Sequence, residues 1–269
     1  MTYFKIDEKN EIYYEYVPPR DNGFTFVFVN ALTGNTTAWN GTVGENVVKE
    51  GNGYLAYNFR GQAHSKFDNN IDLNTDVIVE DLIALTNYVN PKKIVLVGLS
   101  IGGLYASMAV ERGIDAQGLI LINTLRKPND RLNWINNAMV NAAKVGGPAL
   151  IMDMGMPVIA SPEFLKKMED KALEPENYKP LSEDEGIFKL MKGSLTANWS
   201  FDWSIIKIPT LVMTGHFDKM FRIPEDVESL SKSISNVHRI ELPECGHLIP
   251  LEKPESFAEN INKFVKQLN

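Results

Sequence analysis

Short apolar runs alternate with amphipathic stretches along most of this chain. Residues 3–6 and 12–17 alternate apolar and polar positions with period two around the turn-forming stretch 7–10, which predicts a β-hairpin, ended by Pro18-Pro19. The runs 24–29 (FTFVFV), 53–59, 94–97 and 118–122 (GLILI) are more continuously apolar. Runs this short, bounded by turn residues, predict strands buried on both faces. Between them, Ile78, Leu82, Leu85 and Val89 recur at helical spacing within 75–89, with Asn74 or Thr75 as cap and Asn90-Pro91 as stop. Further strands are predicted at 210–213 and 237–242, with a helix over 224–233 between them. A last helix starts at Pro254, a favoured first-turn residue, and buries Phe257, Ile261, Phe264 and Leu268.

This alternation predicts an α/β protein: a mostly parallel central sheet with helices on both faces. The alternation fails between residues 125 and 204. Pro128, Gly146-Gly147-Pro148, Pro157, Pro162, Pro175 and Pro180 break that stretch into short apolar pieces, and six of the ten methionines lie in it. The expected organisation is a core of residues 1–124 and 205–269 with an inserted helical cap, 125–204, over the carboxyl edge of the sheet. Met139, Met152, Met154, Met156, Met168 and Met191 would either give an adaptable apolar pocket or fill the core of a small lid. Trp134, Phe164 and Phe188 face the same choice.

The chemistry concentrates at 92–109, KKIVLVGLSIGGLYASMA. Ser100 lies between Gly98 and Gly102, where an apolar strand turns sharply into a helix. Such a turn holds a nucleophile above the sheet, and glycine is required where a Cβ would clash. The helix behind it directs free N–H groups and the positive end of its dipole toward whatever Ser100 attacks. Serine needs a base within reach. Of four histidines, His238 falls inside a predicted strand, and His64 and His216 follow strands. His247 stands in a glycine-containing loop, 244–247, between the last strand and the last helix, and is the candidate base. Asp218, after strand 210–213, is the candidate to orient it. Its rival, Asp226, sits where acids favour a helix first turn. The chain order is then Ser100, Asp218, His247. An oxyanion needs two aimed donors. The Ile101 N–H is one, and the Leu32 N–H, in the loop after strand 24–29, is the expected second, with the Ala31 N–H as the alternative. Ala31, Trp134, Met154 and Leu248 are the candidate substrate contacts.

On these residues the chain resembles the α/β-hydrolase fold superfamily, in its branch with a helical cap. Residues 28–34 (FVNALTG) resemble the oxyanion loop, which begins His-Gly in most members. Residues 58–65 (NFRGQAHS) are similar to an Asp-x-Arg-Gly-x-Gly-x-Ser turn, and 98–103 looks like the nucleophile elbow. Residues 214–218 and 246–254 resemble the acid and histidine segments. The resemblance implies serine-hydrolase chemistry without metal or cofactor: cleavage of an ester or thioester of a small, largely apolar substrate through an acyl-Ser100. Asn30-Ala31 in place of His-Gly is similar to the loop of homoserine acyltransferases, although this chain is shorter than those enzymes. Serine at the elbow argues against dehalogenase or epoxide hydrolase chemistry. Carbon–carbon bond hydrolases, acyltransferases and perhydrolases use the same residues, and some relatives act as ligand-binding receptors with slow turnover.

Composition narrows the partners. Hydrophobic residues make up 44% and charged residues 23% of the chain, as in an ordinary globular protein. A net charge of −7 with no basic block argues against nucleic acid and anionic membranes as partners. The single cysteine, Cys245, excludes an internal disulfide and fits a reducing compartment. The amino-terminal residues carry no long apolar run. The expectation is a cytoplasmic protein, monomer or homodimer, acting on a small molecule.

Overall fold

The computed structural model describes residues 1–268. Eight strands form one sheet: β1 (Thr2–Lys5), β2 (Glu11–Val17), β3 (Thr25–Val29), β4 (Gly53–Tyr57), β5 (Ile94–Leu99), β6 (Ala116–Ile122), β7 (Thr210–Gly215) and β8 (Val237–Leu242). Their order is β1-β2-β4-β3-β5-β6-β7-β8. The first two strands pair antiparallel with their neighbours, and every pairing from β4 to β8 is parallel.

The strands from β3 to β7 are buried on both faces because their side chains feed two cores at period two. Val27, Val29, Leu96, Leu119, Leu121 and Val212 point to one core. Phe26, Phe28, Val95, Val97, Ile120, Ile122, Leu211 and Met213 point to the other. The first core is covered by α3 (Thr75–Val89) and α4 (Ile101–Glu111). Asn74 is the cap of α3, accepting from the Val77 N–H at 3.1 Å, and Asn90 ends the helix in the left-handed region. The second core is covered by α2 (Thr42–Lys49) and α10 (Pro254–Lys266), through Val43, Val47, Phe257, Ile261 and Phe264. Leu268 lies past the end of α10 and is only half-buried, because the helix stops two residues before it.

Three short helices were not legible in the residue pattern. The stretch after β3 folds into α1 (Thr37–Asn40) and α2, separated by Gly41. A single turn, α9 (Ile249–Glu252), precedes α10. Helices of four residues carry too little periodicity to be read, and α1 is fixed by burial of Trp39, stacked on Phe28 at 4.6 Å between ring centroids.

Between β6 and β7 lie α5 (Asp130–Ile159), α6 (Pro162–Met168), α7 (Gly186–Ser194) and three short 3-10 turns, with no strand among the described residues. The breaks expected around Gly146-Gly147-Pro148 and Pro157 take a milder form. α5 bends at Gly147 (φ 65°, ψ −160°) and restarts at Pro148, while Pro157 rides in its last turn. Proline costs least where the preceding N–H groups are already free, which the kink provides. No described helix is long and apolar enough to cross a membrane.

Candidate active site

Parallel pairing brings the carboxyl ends of β5, β6 and β7 level. Leu99 sits opposite Ile122, and Ile122 opposite Met213. The Ser100 N–H continues that line to the Ile122 carbonyl (2.8 Å), as the Asn123 N–H does to that of Met213 (2.9 Å). Side chains that follow these strands therefore converge on one edge.

Ser100 has φ 58° and ψ −121°. A non-glycine residue in this region is strained by about 1–3 kcal/mol and persists only where its surroundings impose it. Here they do. A Cβ at Gly98 would run into the Gly102 and Gly103 backbone, and one at Gly102 into the carbonyls of Val29 and Asn30. The strand and helix are thus closer than any other residue pair would permit. Gly102 clears the end of β3, a close approach that only the sheet order reveals.

His247 and Asp218 meet, Nδ1 to Oδ2, at 2.6 Å. Both are buried. Burial opposes the charge on Asp218, but the His247 ring, the Phe221 N–H at 2.9 Å and the Arg126 guanidinium outweigh it and hold the carboxyl below its ordinary range. The ionised carboxylate accepts, so Nδ1 carries the proton and Nε2 is the free nitrogen. The loop carrying His247 is tied down by its neighbours. Asn123 Nδ2 donates to the Gly246 and His247 carbonyls (3.1 and 2.9 Å), and its Oδ1 accepts from the Gly215 N–H (3.0 Å). Glu252 accepts from the Gly246, Leu248 and Ser161 N–H groups.

Ala31, Leu32, Ser100, Ile101, Trp134, Met154, His247 and Leu248 all line one cavity of ≈ 280 Å³. Asp218 stands behind His247, outside it. Trp134 and Met154 are largely exposed and form part of the rim. Met139, Met152 and Met191 line the cavity as well, whereas Met156 and Met168 pack with Phe164, and Phe188 packs with Val140. His64 stacks edge-on with Tyr13, His216 bonds Glu241 at 2.7 Å, and His238 is exposed on β8; none touches the cavity. Asp226 faces Lys127 in the first turn of α8 (Pro224–Ser233), at 3.7 Å.

The N–H groups of Leu32 and Ile101 have no hydrogen-bond partner among the described residues. The Leu32 loop is held by a buried amide network. Asn30 donates to the Tyr57 carbonyl (2.8 Å) and Gln62 Oε1 (2.9 Å), and accepts from Trp39 Nε1 (2.6 Å). Gln62 Nε2 then donates to the carbonyls of Ala31 (3.0 Å) and Leu32 (3.1 Å). An asparagine in place of the usual histidine-containing entry to this loop thus anchors it from beneath.

Several cavity residues escaped the sequence reading, and one of them touches Ser100. Arg126, four residues past β6, is buried, and its Nη2 donates to Ser100 Oγ at 3.0 Å. Ser100 has no hydrogen bond to the His247 ring among the described residues. Only the position of Arg126, the first of two cations just after a buried strand at the carboxyl edge of the sheet, could have flagged it.

A profile of the alpha/beta hydrolase fold matches residues 25–254, and the chain belongs to that family. It is similar to 3-oxoadipate enol-lactonase 1 of Acinetobacter baylyi, at 24% identity over 92% of this chain and 91% of that one. Among solved structures it resembles MGS-M2, an alpha/beta hydrolase enzyme from a Medee basin deep-sea metagenome library, with TM-score 0.86 and 24% identity over 98% of this chain and 97% of that one. It also resembles a malate-bound thermophilic esterase from Thermogutta terrifontis, with TM-score 0.80 and 23% identity over 99% and 97% of the two chains.

Proposed function

We propose that this protein is a serine hydrolase that cleaves a carboxylic ester or thioester of a small, largely apolar substrate through an acyl-Ser100 intermediate. The observation that carries the reading is the pairing, at one cavity, of a strained Ser100 with a His247 whose Nδ1 is bonded to buried Asp218. His247 Nε2 takes the Ser100 proton as the hydroxyl attacks the carbonyl carbon, and Asp218 holds the tautomer and offsets the imidazolium charge. The Leu32 and Ile101 N–H groups receive the oxyanion. The leaving alcohol or thiol departs with the proton from His247. Water, deprotonated in turn by His247, attacks the acyl carbon and releases the acid. Residues 125–204 act as the cap, with α5 and its methionines forming the apolar wall of the cavity. An enol-lactonase and an esterase among the similar proteins support an ester-type bond as the target.

The test is labelling with a fluorophosphonate probe, followed by peptide mass spectrometry, on the natural chain and on Ser100→Ala and His247→Ala. Rapid adduct on Ser100 that is lost in both variants is the expected result. A folded protein that takes no adduct and turns over no ester or thioester refutes the reading.

A further inference from the structure

The cavity is lined mostly by apolar side chains, and it holds one buried cation that the reaction above does not use. Arg126 is 4% exposed. Its guanidinium carbon lies over the rings of Trp199 and Phe221, 4.5 and 4.6 Å from their centroids. Its Nε donates to the Thr124 carbonyl (3.2 Å), and Nη2 donates to the Asn123 carbonyl (2.9 Å) and to Ser100 Oγ (3.0 Å). All these acceptors are neutral. Nη1, with two donors, has no partner among the described residues, and it is not among the sealed polar atoms that lack one.

A buried charge without a counter-charge costs several kcal/mol, so a fold that retains one generally pairs it. No carboxylate of the described residues lies within salt-bridge distance of Arg126. Asp218 supplies the negative field that Arg126 feels, and it is already committed to His247. Burial lowers the guanidinium pKa to about 10, which still leaves it protonated at neutral pH. The two rings fix the plane of the group and the two carbonyls fix its rotation, so the Nη1 edge is preorganised for a planar anion.

We infer that Arg126 is a specificity residue that binds a carboxylate of the substrate, so the preferred esters carry a free carboxylate a few bonds from the scissile carbonyl. This rests on the hydrolase reading for the ester, though not for the anion. One guanidinium offsets one charge, which favours a carboxylate over a phosphate dianion. The spacing follows from the geometry. Nη2 is 3.0 Å from Ser100 Oγ. A reacting carbonyl carbon sits about 3–3.5 Å from the nucleophile, and a carboxylate oxygen about 2.8 Å from the guanidinium. The two carbons are then separated by roughly three to five bonds, as in half-esters of four- to six-carbon dicarboxylic acids.

The experiment has a kinetic arm and a binding arm. In the first, kcat/KM is measured by pH-stat for monoethyl succinate and monoethyl glutarate against ethyl butyrate and ethyl valerate. The natural chain should prefer the carboxylate of each pair at least about tenfold, and Arg126→Met should lower that preference about 10- to 100-fold, the value of a charge-assisted hydrogen bond. Arg126→Lys, which keeps the charge in the same volume class, should retain part of it, and it serves where Arg126→Met fails to fold. Lys127→Gln, on the surface beside it, should retain all of it. In the second arm, glutarate is titrated calorimetrically into the natural chain and into both Arg126 variants. Saturable binding of glutarate, absent for neutral glutaramide and weakened in the variants, supports the inference whether or not any ester turns over. No glutarate binding, or equal turnover of charged and neutral esters, overturns it. Failure of the hydrolase reading has a different signature: no fluorophosphonate adduct and no turnover of either ester class.

Discussion

Replacing Gln62 with alanine removes four hydrogen bonds at a single buried site. Gln62 Oε1 accepts from Asn30 Nδ2 and the Phe59 N–H, each at 2.9 Å, and Nε2 donates to the carbonyls of Ala31 and Leu32. A typical bond contributes about 1 kcal/mol net, and some of the abandoned partners recover part of it. Asn30 Nδ2 keeps the Tyr57 carbonyl, for instance. The expected loss is therefore about 2–4 kcal/mol, or roughly 4–7 °C in Tm for a chain of this size. The functional effect is separate. The bond to the Ala31 carbonyl sets the plane of the peptide that carries the Leu32 N–H, and the bond to the Leu32 carbonyl holds the next peptide, so releasing them should withdraw the oxyanion donor proposed above. Loss of such a donor costs about 10²–10³ in kcat with little change in KM. Urea unfolding gives the first quantity, and steady-state kinetics on a neutral ester at a temperature where the variant is fully folded gives the second. A variant that loses stability yet keeps kcat within about threefold would refute the reasoning, because Leu32 would then contribute no transition-state hydrogen bond.

Four further outcomes are expected. Asp218→Asn should lower kcat by about 10⁴ while leaving the fold intact, because the amide favours the wrong tautomer of His247. Because His247 and its other partners depress the Asp218 pKa below its unfolded value, the stability Asp218 supplies is present above about pH 4 and lost as pH falls through its folded pKa; urea titrations should show the gap to Asp218→Asn closing in that window. Gly98→Ala should abolish fluorophosphonate labelling and cost several kcal/mol, since its Cβ has no room against the backbone of Gly103; a stable, labelled variant would contradict the strand–helix approach described above. Cys245 is buried, and desolvation together with Glu252 and Glu244 pushes its thiol up to about 12, so iodoacetamide at pH 8 should leave it unmodified until the protein unfolds, as read by intact mass.

The elements that read clearly from the residues share one property: their information is local. A buried parallel strand announces itself by an unbroken apolar run, α3 by its four-residue spacing and its Asn74 cap, and the turn at Ser100 by glycines on both sides. The loop positions of Ala31, Leu32 and Leu248 at the cavity also follow, because loops at the carboxyl ends of parallel strands must meet. The short α1 and α9 were invisible, because a four-residue helix is stabilised by what it packs on rather than by its own pattern.

By itself the sequence determined the alternation of strands and helices and the sharp turn that carries Ser100, and it put His247 and Asp218 forward as the partners that a hydrogen bond joins. Each of these rests on local signals, apolar periodicity and turn or loop residues, that need no knowledge of distant contacts. Only the tertiary structure decided which strand lies beside which, and with it that Gly102 faces the end of β3, that Gln62 holds the Leu32 loop, and that Arg126 reaches Ser100. Those contacts join residues 26 to 73 positions apart. The energy of such a contact depends on the direction and burial of both partners, and neither is written in the neighbours of either one.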